Sequence, residues 1–285
     1  MSASDARQAM QGEKAEQQQT NTTHADRRAL LATCVSAVVR CAEVVREGAA
    51  RRATLTWESK GAFDFVSEID RASESALAEV VAGRHPDASL LAEEGTPDAD
   101  ATRGLVFVAD PLDGTTNFLH GVPWYAVSVA ALVDGVPVAG AIINAHSGEL
   151  FTATVGGGAR RAGEPMRVST TTEPARALIA TGFPFSNDEH IDRYVPLLPA
   201  IMRATSGIRR NGAAALDLAD VACGRYDAFF ELRLSPWDLA AGVLLVHEAG
   251  GVVTTIEGNP IPIAATSILA GGTAMHAWLL KTLNG

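Results

Sequence analysis

Asp110 and Asp113 are the residues best placed to do chemistry in this sequence. They stand in the run Asp110-Pro111-Leu112-Asp113-Gly114-Thr115-Thr116-Asn117-Phe118, directly after the apolar residues 105–109. That apolar stretch reads as a buried strand delivering a carboxylate at its C-terminal end. Pro111 stiffens the turn expected there, and Gly114 lets the backbone approach a ligand closely. Two carboxylates converging at a buried strand end are costly unless something neutralises them. A hard divalent cation with oxygen ligands is one solution, and a solvated Asx turn is the bland alternative. If a helix begins after Gly114, the amides of Gly114 and Thr115 would face an anion.

Other acids sit at comparable places. Glu93-Glu94 follows the apolar pair Leu90-Leu91. Asp238 stands beside Trp237 in the first turn of an expected helix, where it also suits the helix dipole. Asp70 follows Phe65-Val66-Ser67 and reads either as a functional acid or as a helix N-cap. The seven histidines carry no motif. Of the three cysteines, Cys34 and Cys41 share one face of an expected helix and Cys223 stands alone. Neither a disulfide framework nor a zinc spacing is present, so all three read as small buried residues in a reducing cytoplasm.

The elements that must position these acids follow from periodicity. Residues 27–52 form a helix pattern, with Leu30, Leu31, Cys34, Val38, Cys41 and Val45 near the 3.6 period. A strand is expected at 63–67, then a helix starting at Asp70 with Ala76, Leu77, Val80 and Val81 on its apolar face. Strands at 127–133 and 138–144 flank Asp134-Gly135, a hairpin signal, and a third strand lies at 150–154. Together these predict an antiparallel meander. Its flat apolar strands are also where a partner copy is expected to pack. Further on, strands are expected at 177–181, 228–232, 252–255 and 268–270, and helices at 192–204, 213–223 and 274–283. Ser235-Pro236 should open a helix as N-cap and first helical residue, and Gly250-Gly251 should close it. Strands and helices in blocks indicate a layered α+β fold with two sheets.

Net charge is -10. That argues against general attraction to nucleic acid or an anionic membrane. The basic pairs Arg51-Arg52, Arg160-Arg161 and Arg209-Arg210 do not extend into runs and read as solvated faces. No stretch approaches the ~20 apolar residues of a membrane span. Residues 1–25 are rich in Gln, Ser, Thr and Ala and read as a disordered leader, without the apolar core of a signal peptide. Residues 26–285 read as a single unit.

The sequence resembles the inositol monophosphatase family, whose superfamily also holds fructose-1,6-bisphosphatase. The residues that carry the resemblance are Asp64-Phe65-Val66-Ser67-Glu68-Ile69-Asp70, Glu93-Glu94, Asp110 through Phe118, and Trp237-Asp238-Leu239-Ala240-Ala241-Gly242. It implies an alternating α/β/α/β/α sandwich, with metal-binding motifs in residues 26–170 and substrate contacts in 171–285. It implies two to three Mg²⁺ ions. Glu93, Asp110 and the Leu112 carbonyl would hold one; Asp110, Asp113 and Asp238 a second; and Glu93 would help hold a weaker third. The implied catalytic group is Asp70, Thr115 and Glu93, with Asp70 and Thr115 orienting and deprotonating the attacking water. Asp113, Gly114, Thr115, Ala214, Glu231 and Asp238 would contact the substrate, a small polyol phosphate such as inositol 1-phosphate.

Lys60 stands near a family lysine beside the phosphate, and Glu94 would support the acidic site from behind. Two positions depart from the pattern. Ala92 replaces a common glycine, and Ala213 replaces a common threonine or serine. The second would alter substrate contacts. The resemblance also implies lithium inhibition and a homodimer. Fructose-1,6-bisphosphatase, histidinol-phosphatase and 3′,5′-bisphosphonucleotide phosphatase activities would use the same metal site. A non-catalytic role beside the transcription machinery, as in some bacterial relatives, is the alternative of another class.

Overall fold

Alternation along one strand sets the layering. In residues 126–133, Val127, Val129 and Ala131 join one apolar core, while Ala126, Ala130 and Leu132 join another. A strand whose two faces are both apolar must be covered on both sides. The computed structural model describes residues 24–55, 57–59, 65–185, 188–262 and 264–285. Lys60, Asp64 and residues 1–23 of the expected leader lie outside the described residues.

Helices α1 (His24–Ala50) and α2 (Glu68–Arg84) cover the first face. Under them lies a seven-stranded sheet in the order β3 (Ser89–Ala92), β4 (Leu105–Asp113), β5 (Ala126–Val133), β6 (Val136–Asn144), β7 (Leu150–Thr154), β8 (Gly158–Arg161), β9 (Glu164–Pro165). Only β3–β4 is a parallel pair among these. A small ribbon of β1 (Trp57–Ser59) and β2 (Phe65–Ser67) precedes α2. Helices α6 (Ala214–Ala222) and α7 (Pro236–Glu248) cover the second face. Beyond them a five-stranded sheet runs β11 (Gly207–Arg209), β10 (Leu178–Thr181), β12 (Ala228–Leu234), β14 (Thr266–Gly271), β13 (Val252–Thr254). Its outer face packs Ile179, Phe230 and Leu269 against Ile201, Met275 and Leu279, the last two on α8 (Thr273–Asn284). The result is the α/β/α/β/α sandwich.

Local chemistry explains most element ends. Asp134 and Gly135 turn the β5–β6 hairpin with φ of 48° and 81°, the paired positive values of a type I′ turn. Gly250, at φ 85°, follows α7.

Four expectations need correction. The helix predicted at 192–204 is broken into α4 (Asp188–Tyr194), a 3-10 turn at Val195–Leu197, and α5 (Leu198–Ala204). Pro196 and Pro199 withhold the amide hydrogens a continuous helix needs. The strand predicted to end at Asp110 runs on to Asp113. Asp70 does not cap α2: Ser67 does, and Asp70 is the third helical residue. Finally, the meander offers no flat face to a partner copy. Its residues are shared between the cores on its two sides, and Val127, Val129, Ala139 and Ala141 are fully buried within this chain.

Candidate functional site

A break in register brings the first two acids together. Along a regular strand, residues three apart point to opposite faces. In β4, however, Asp110 pairs with Ser128 while Asp113 pairs with Ala126. Three steps on one strand therefore match two on the other, and a bulge at Pro111-Leu112 absorbs the extra residue. Both carboxylates are thereby turned to the same side. The bulge is tied in place by the Leu112 amide, which donates to Asp110 Oδ1 at 2.9 Å, and by Ser73 Oγ, which donates to the Pro111 carbonyl at 2.8 Å.

Asp238 comes from the first turn of α7. There its Oδ2 accepts the Ser235 amide at 2.7 Å. One carboxylate oxygen from each of Asp110, Asp113 and Asp238 lies within 4.8 Å of the others. Asp110 is 2% exposed and Asp113 8%, so this negative charge has little water to screen it. Burial pushes the Asp110 carboxyl well above its ordinary range, and the charges of Glu93, Asp113 and Asp238 push it further. Asp238 rises for the same reasons, burial first. Asp113 is pushed up to about 6 by burial, opposed by the amides of Ala215 and Ala214. The Ala215 amide donates to Asp113 Oδ2 at 2.8 Å. Ala213, at the N-cap of α6, has no side chain able to cap it, and Asp113 supplies the acceptor from another element. Asp110 and Asp113 are buried and Asp238 partly so, and three such mutually repelling carboxylates fit a hard divalent ion with oxygen ligands.

Beside this cluster is a second pair. Thr115 Oγ1 lies 2.8 Å from Asp70 Oδ1 and 3.0 Å from the Leu112 carbonyl. A hydroxyl has one hydrogen to give. The charge-assisted bond to the carboxylate is the stronger, which leaves the Leu112 oxygen available to another partner. Asp70 is 1% exposed, and its other oxygen accepts the Ser67 amide at 2.8 Å. Gly114, at φ 88°, opens helix α3 (Thr115–His120). A Cβ there would lie 3.1 Å from the Gly212 carbonyl and 3.2 Å from that of Trp124. Asn117 Nδ2 donates to the carbonyls of Trp124 and Asn211, both at 2.7 Å, and so ties α3 to the loop before α6.

One cavity of 680 Å³ has Glu93, Asp110, Leu112, Asp113, Gly114, Thr115 and Asp238 among its walls; Asp70 is not on the wall and meets it through Thr115. Glu93 stands half-buried after β3, outside the trio that meets within 4.8 Å. Two predicted contacts lie off the cavity wall. The Ala214 amide faces Asp113. Glu231, on β12, rests its carboxyl against Gly182, where a side chain would collide. Burial pushes Glu231 up to about 8, with Arg210 lowering and Asp113 raising it. Glu94 donates its amide to Glu74 Oε2 at 2.8 Å. Cys34 and Cys41 are fully buried and burial raises their thiols to about 12 and about 11, far from nucleophilic use.

Sequence reading missed two wall residues, Phe185 and Arg210. The apolar run before Phe185 and the Arg209-Arg210 pair were the available signals, but nothing local links them.

The family model described as "Inositol monophosphatase family" matches residues 26–285. "Phosphatase IMPL1, chloroplastic" of Arabidopsis thaliana is 40% identical over 248 residues, covering 85% of this chain and 66% of that protein. "Nus factor SuhB" of Pseudomonas aeruginosa is 40% identical over 245 residues, 85% of this chain and 90% of that one. Among solved structures, an inositol monophosphatase from Anabaena superposes with a TM-score of 0.79 at 36% identity, covering 90% of this chain and 96% of that one. Among the described residues no helix is long and apolar enough to cross a membrane.

Proposed function

The chain belongs to the inositol monophosphatase family, and from that premise we propose that it hydrolyses a small polyol phosphate monoester, inositol 1-phosphate first among candidates. The observation that carries this reading is the meeting of Asp110, Asp113 and Asp238 within 4.8 Å on one cavity wall that also carries Thr115, itself bonded to Asp70. Asp110, Asp113 and Asp238 would hold one Mg²⁺; Glu93, Asp110 and the Leu112 carbonyl another; Glu93 would help with a third. When bound, such ions neutralise phosphoryl oxygens and make water more acidic.

The chain's own groups divide the remaining work. Thr115 Oγ1 accepts a proton from the attacking water as its own proton passes to Asp70 Oδ1. Asp70 is held for this by the Ser67 amide on its other oxygen. Gly114, without a side chain, lets the phosphoryl group approach the start of α3. Glu231 and the backbone at 212–214 recognise hydroxyls of the alcohol portion. The water oxygen bonds to phosphorus as the P–O bond to that alcohol breaks, the departing alkoxide takes a proton from solvent water, and the products are the free polyol and inorganic phosphate. Residues 26–285 act as one phosphatase unit, in a C2 homodimer, in a reducing cytoplasm that suits the buried thiols of Cys34 and Cys41.

The test is purified protein with Mg²⁺ against inositol 1-phosphate, fructose 1,6-bisphosphate, histidinol phosphate and a 3′,5′-bisphosphonucleotide. We expect the highest kcat/KM on inositol 1-phosphate. A clear preference for another ester moves the assignment to that activity, and no hydrolysis of any overturns the phosphatase reading. A second reading is favoured by the "Nus factor" name of the Pseudomonas relative: binding to the transcription machinery independent of catalysis. An Asp110→Asn variant that is inactive yet still captures RNA polymerase components from extract supports it. Loss of capture by a folded variant rejects it.

A further inference from the structure

At the cavity rim an arginine is held against aromatic rings, with no polar partner among the described residues. The Arg210 guanidinium carbon lies 4.8 Å from the centre of the Phe185 ring and 5.5 Å from that of Phe183. The two rings meet edge to face at 5.7 Å and 81°. Phe183 in turn meets Tyr194 at 5.6 Å, and Tyr194 stacks on Phe230 at 5.7 Å. Tyr194 and Phe230 are 2% and 0% exposed, and the Tyr194 hydroxyl is bonded to that of Thr181 at 2.7 Å. The outer pair is thus the end of an aromatic ladder rooted in the core. Cation–π contact fixes where the guanidinium sits but uses none of its N–H donors. Among the described residues no hydrogen bond or ion pair claims those donors. Gly212 makes room for the group: a Cβ there would lie 2.7 Å from Arg210 Nη1.

The placement says what these donors meet. Arg210 and Phe185 line the same cavity as the acidic trio, and Arg210 is the basic residue among its described walls. Asp110 and Asp113 form the buried floor, whereas Phe183 and Phe185 stand 37% and 52% exposed at the rim. A phosphoryl group on the floor leaves the alcohol portion of the ester at the rim. There Arg210 offers donors, and the charge it places near Glu231 favours that residue's ionised, acceptor form.

We propose that Arg210 is a specificity-determining residue that donates hydrogen bonds to oxygens of the substrate's alcohol portion, with Phe183 and Phe185 as the positioning residues that hold it. This rests on the phosphatase reading and names the face of the site that selects the alcohol.

The experiment compares the parent with Arg210→Ala, Arg210→Lys and Phe185→Leu on two esters, myo-inositol 1-phosphate and glycerol 2-phosphate, with Mg²⁺. The second ester has too short an alcohol portion to reach the rim. For Arg210→Ala, KM for inositol 1-phosphate should rise about ten- to hundredfold, the range of lost charge-assisted hydrogen bonds. Its kcat should stay within about twofold, since ground state and transition state lose the contact equally. KM for glycerol 2-phosphate should change by no more than about threefold, and inhibition by inorganic phosphate should not change. Arg210→Lys should recover only part, because an ammonium lacks the planar fork. Phe185→Leu should fall between parent and Arg210→Ala, because it keeps apolar volume without a π face. An unchanged KM in Arg210→Ala overturns the inference. Equal losses on both esters, or weakened phosphate inhibition, also overturn it by placing Arg210 on the phosphoryl group. A parent protein that turns over neither ester overturns instead the phosphatase reading beneath it.

Discussion

Replacing Asp113 by asparagine asks whether the acidic trio is a charge trap built for a cation. Asp113 is 8% exposed, and burial pushes its carboxyl from 3.8 up to about 6. The rise from 3.8 to about 6 corresponds to about 3 kcal/mol between its protonation states. The folded value lies above the unfolded one, so the fold disfavours the ionised form. The residue's stabilising contribution is complete below about pH 4 and is lost as pH rises through about 6. Burial raises Asp110 and Asp238 in the same direction. In chelator, the parent should therefore lose stability as pH rises from about 4 through about 6. Asp113→Asn removes the titration and keeps an oxygen for the Ala215 amide. Its Tm in chelator at about pH 8 should exceed the parent's by on the order of 5–10 °C. Excess Mg²⁺ should reverse the order, because only the parent gains binding energy in the folded state. Thermal melts in both conditions measure this. A variant less stable than the parent in chelator, or one with an equal Mg²⁺ gain, refutes the reasoning.

Four further outcomes can be measured. Thr115→Ala should lower kcat by on the order of 10²–10⁴ with KM nearly kept, since a proton acceptor acts only in the chemical step; near-normal kcat would leave Thr115 as a helix-start residue. Chelation should abolish hydrolysis and Mg²⁺ restore it, and turnover persisting in excess chelator would remove the metal reading. Gly114→Ala should cost about 1–3 kcal/mol in denaturant titration, because alanine is strained at φ 88° and its Cβ would crowd the Gly212 carbonyl. Deleting residues 1–23 should leave both activity and dimer mass by light scattering unchanged, since that segment has few large apolar residues; a monomeric, inactive product would make it structural.

How much of this was legible depends on how local each signal is. The β5–β6 hairpin, the Ser235-Pro236 helix start and the apolar face of α1 are written within a few residues of one another, and they fold as read. The break between α4 and α5 is equally local, since Pro196 and Pro199 sit inside the predicted helix and the lost amide donors outweigh its apolar periodicity. The convergence of Asp110 and Asp113 is different. Their spacing marks them as a pair, but three residues along a strand should part them. What joins them is the register against Ser128 and Ala126, and no inspection of residues 105–118 alone contains it. Arg210 escaped notice for the same reason. Its partners Phe183 and Phe185 lie on another loop, so a basic pair with no neighbours looked merely solvated.

Asp70 shows why local and distant signals need to be read together. Its position three residues after Ser67 is a capping-box spacing, and one oxygen does accept the Ser67 amide. A purely structural reading would stop there. The other oxygen meets Thr115 at 2.8 Å, from a helix start 45 residues away. Folding the beginning of α2 therefore fixes the carboxylate's orientation, and that orientation presents Oδ1 to the Thr115 hydroxyl. The capping bond from the Ser67 amide and the bond from the Thr115 hydroxyl are held by the two oxygens of one carboxylate. Removing Ser67's side chain alone would leave the Ser67 amide to hold Oδ2, so the geometry that matters to chemistry is secured by backbone.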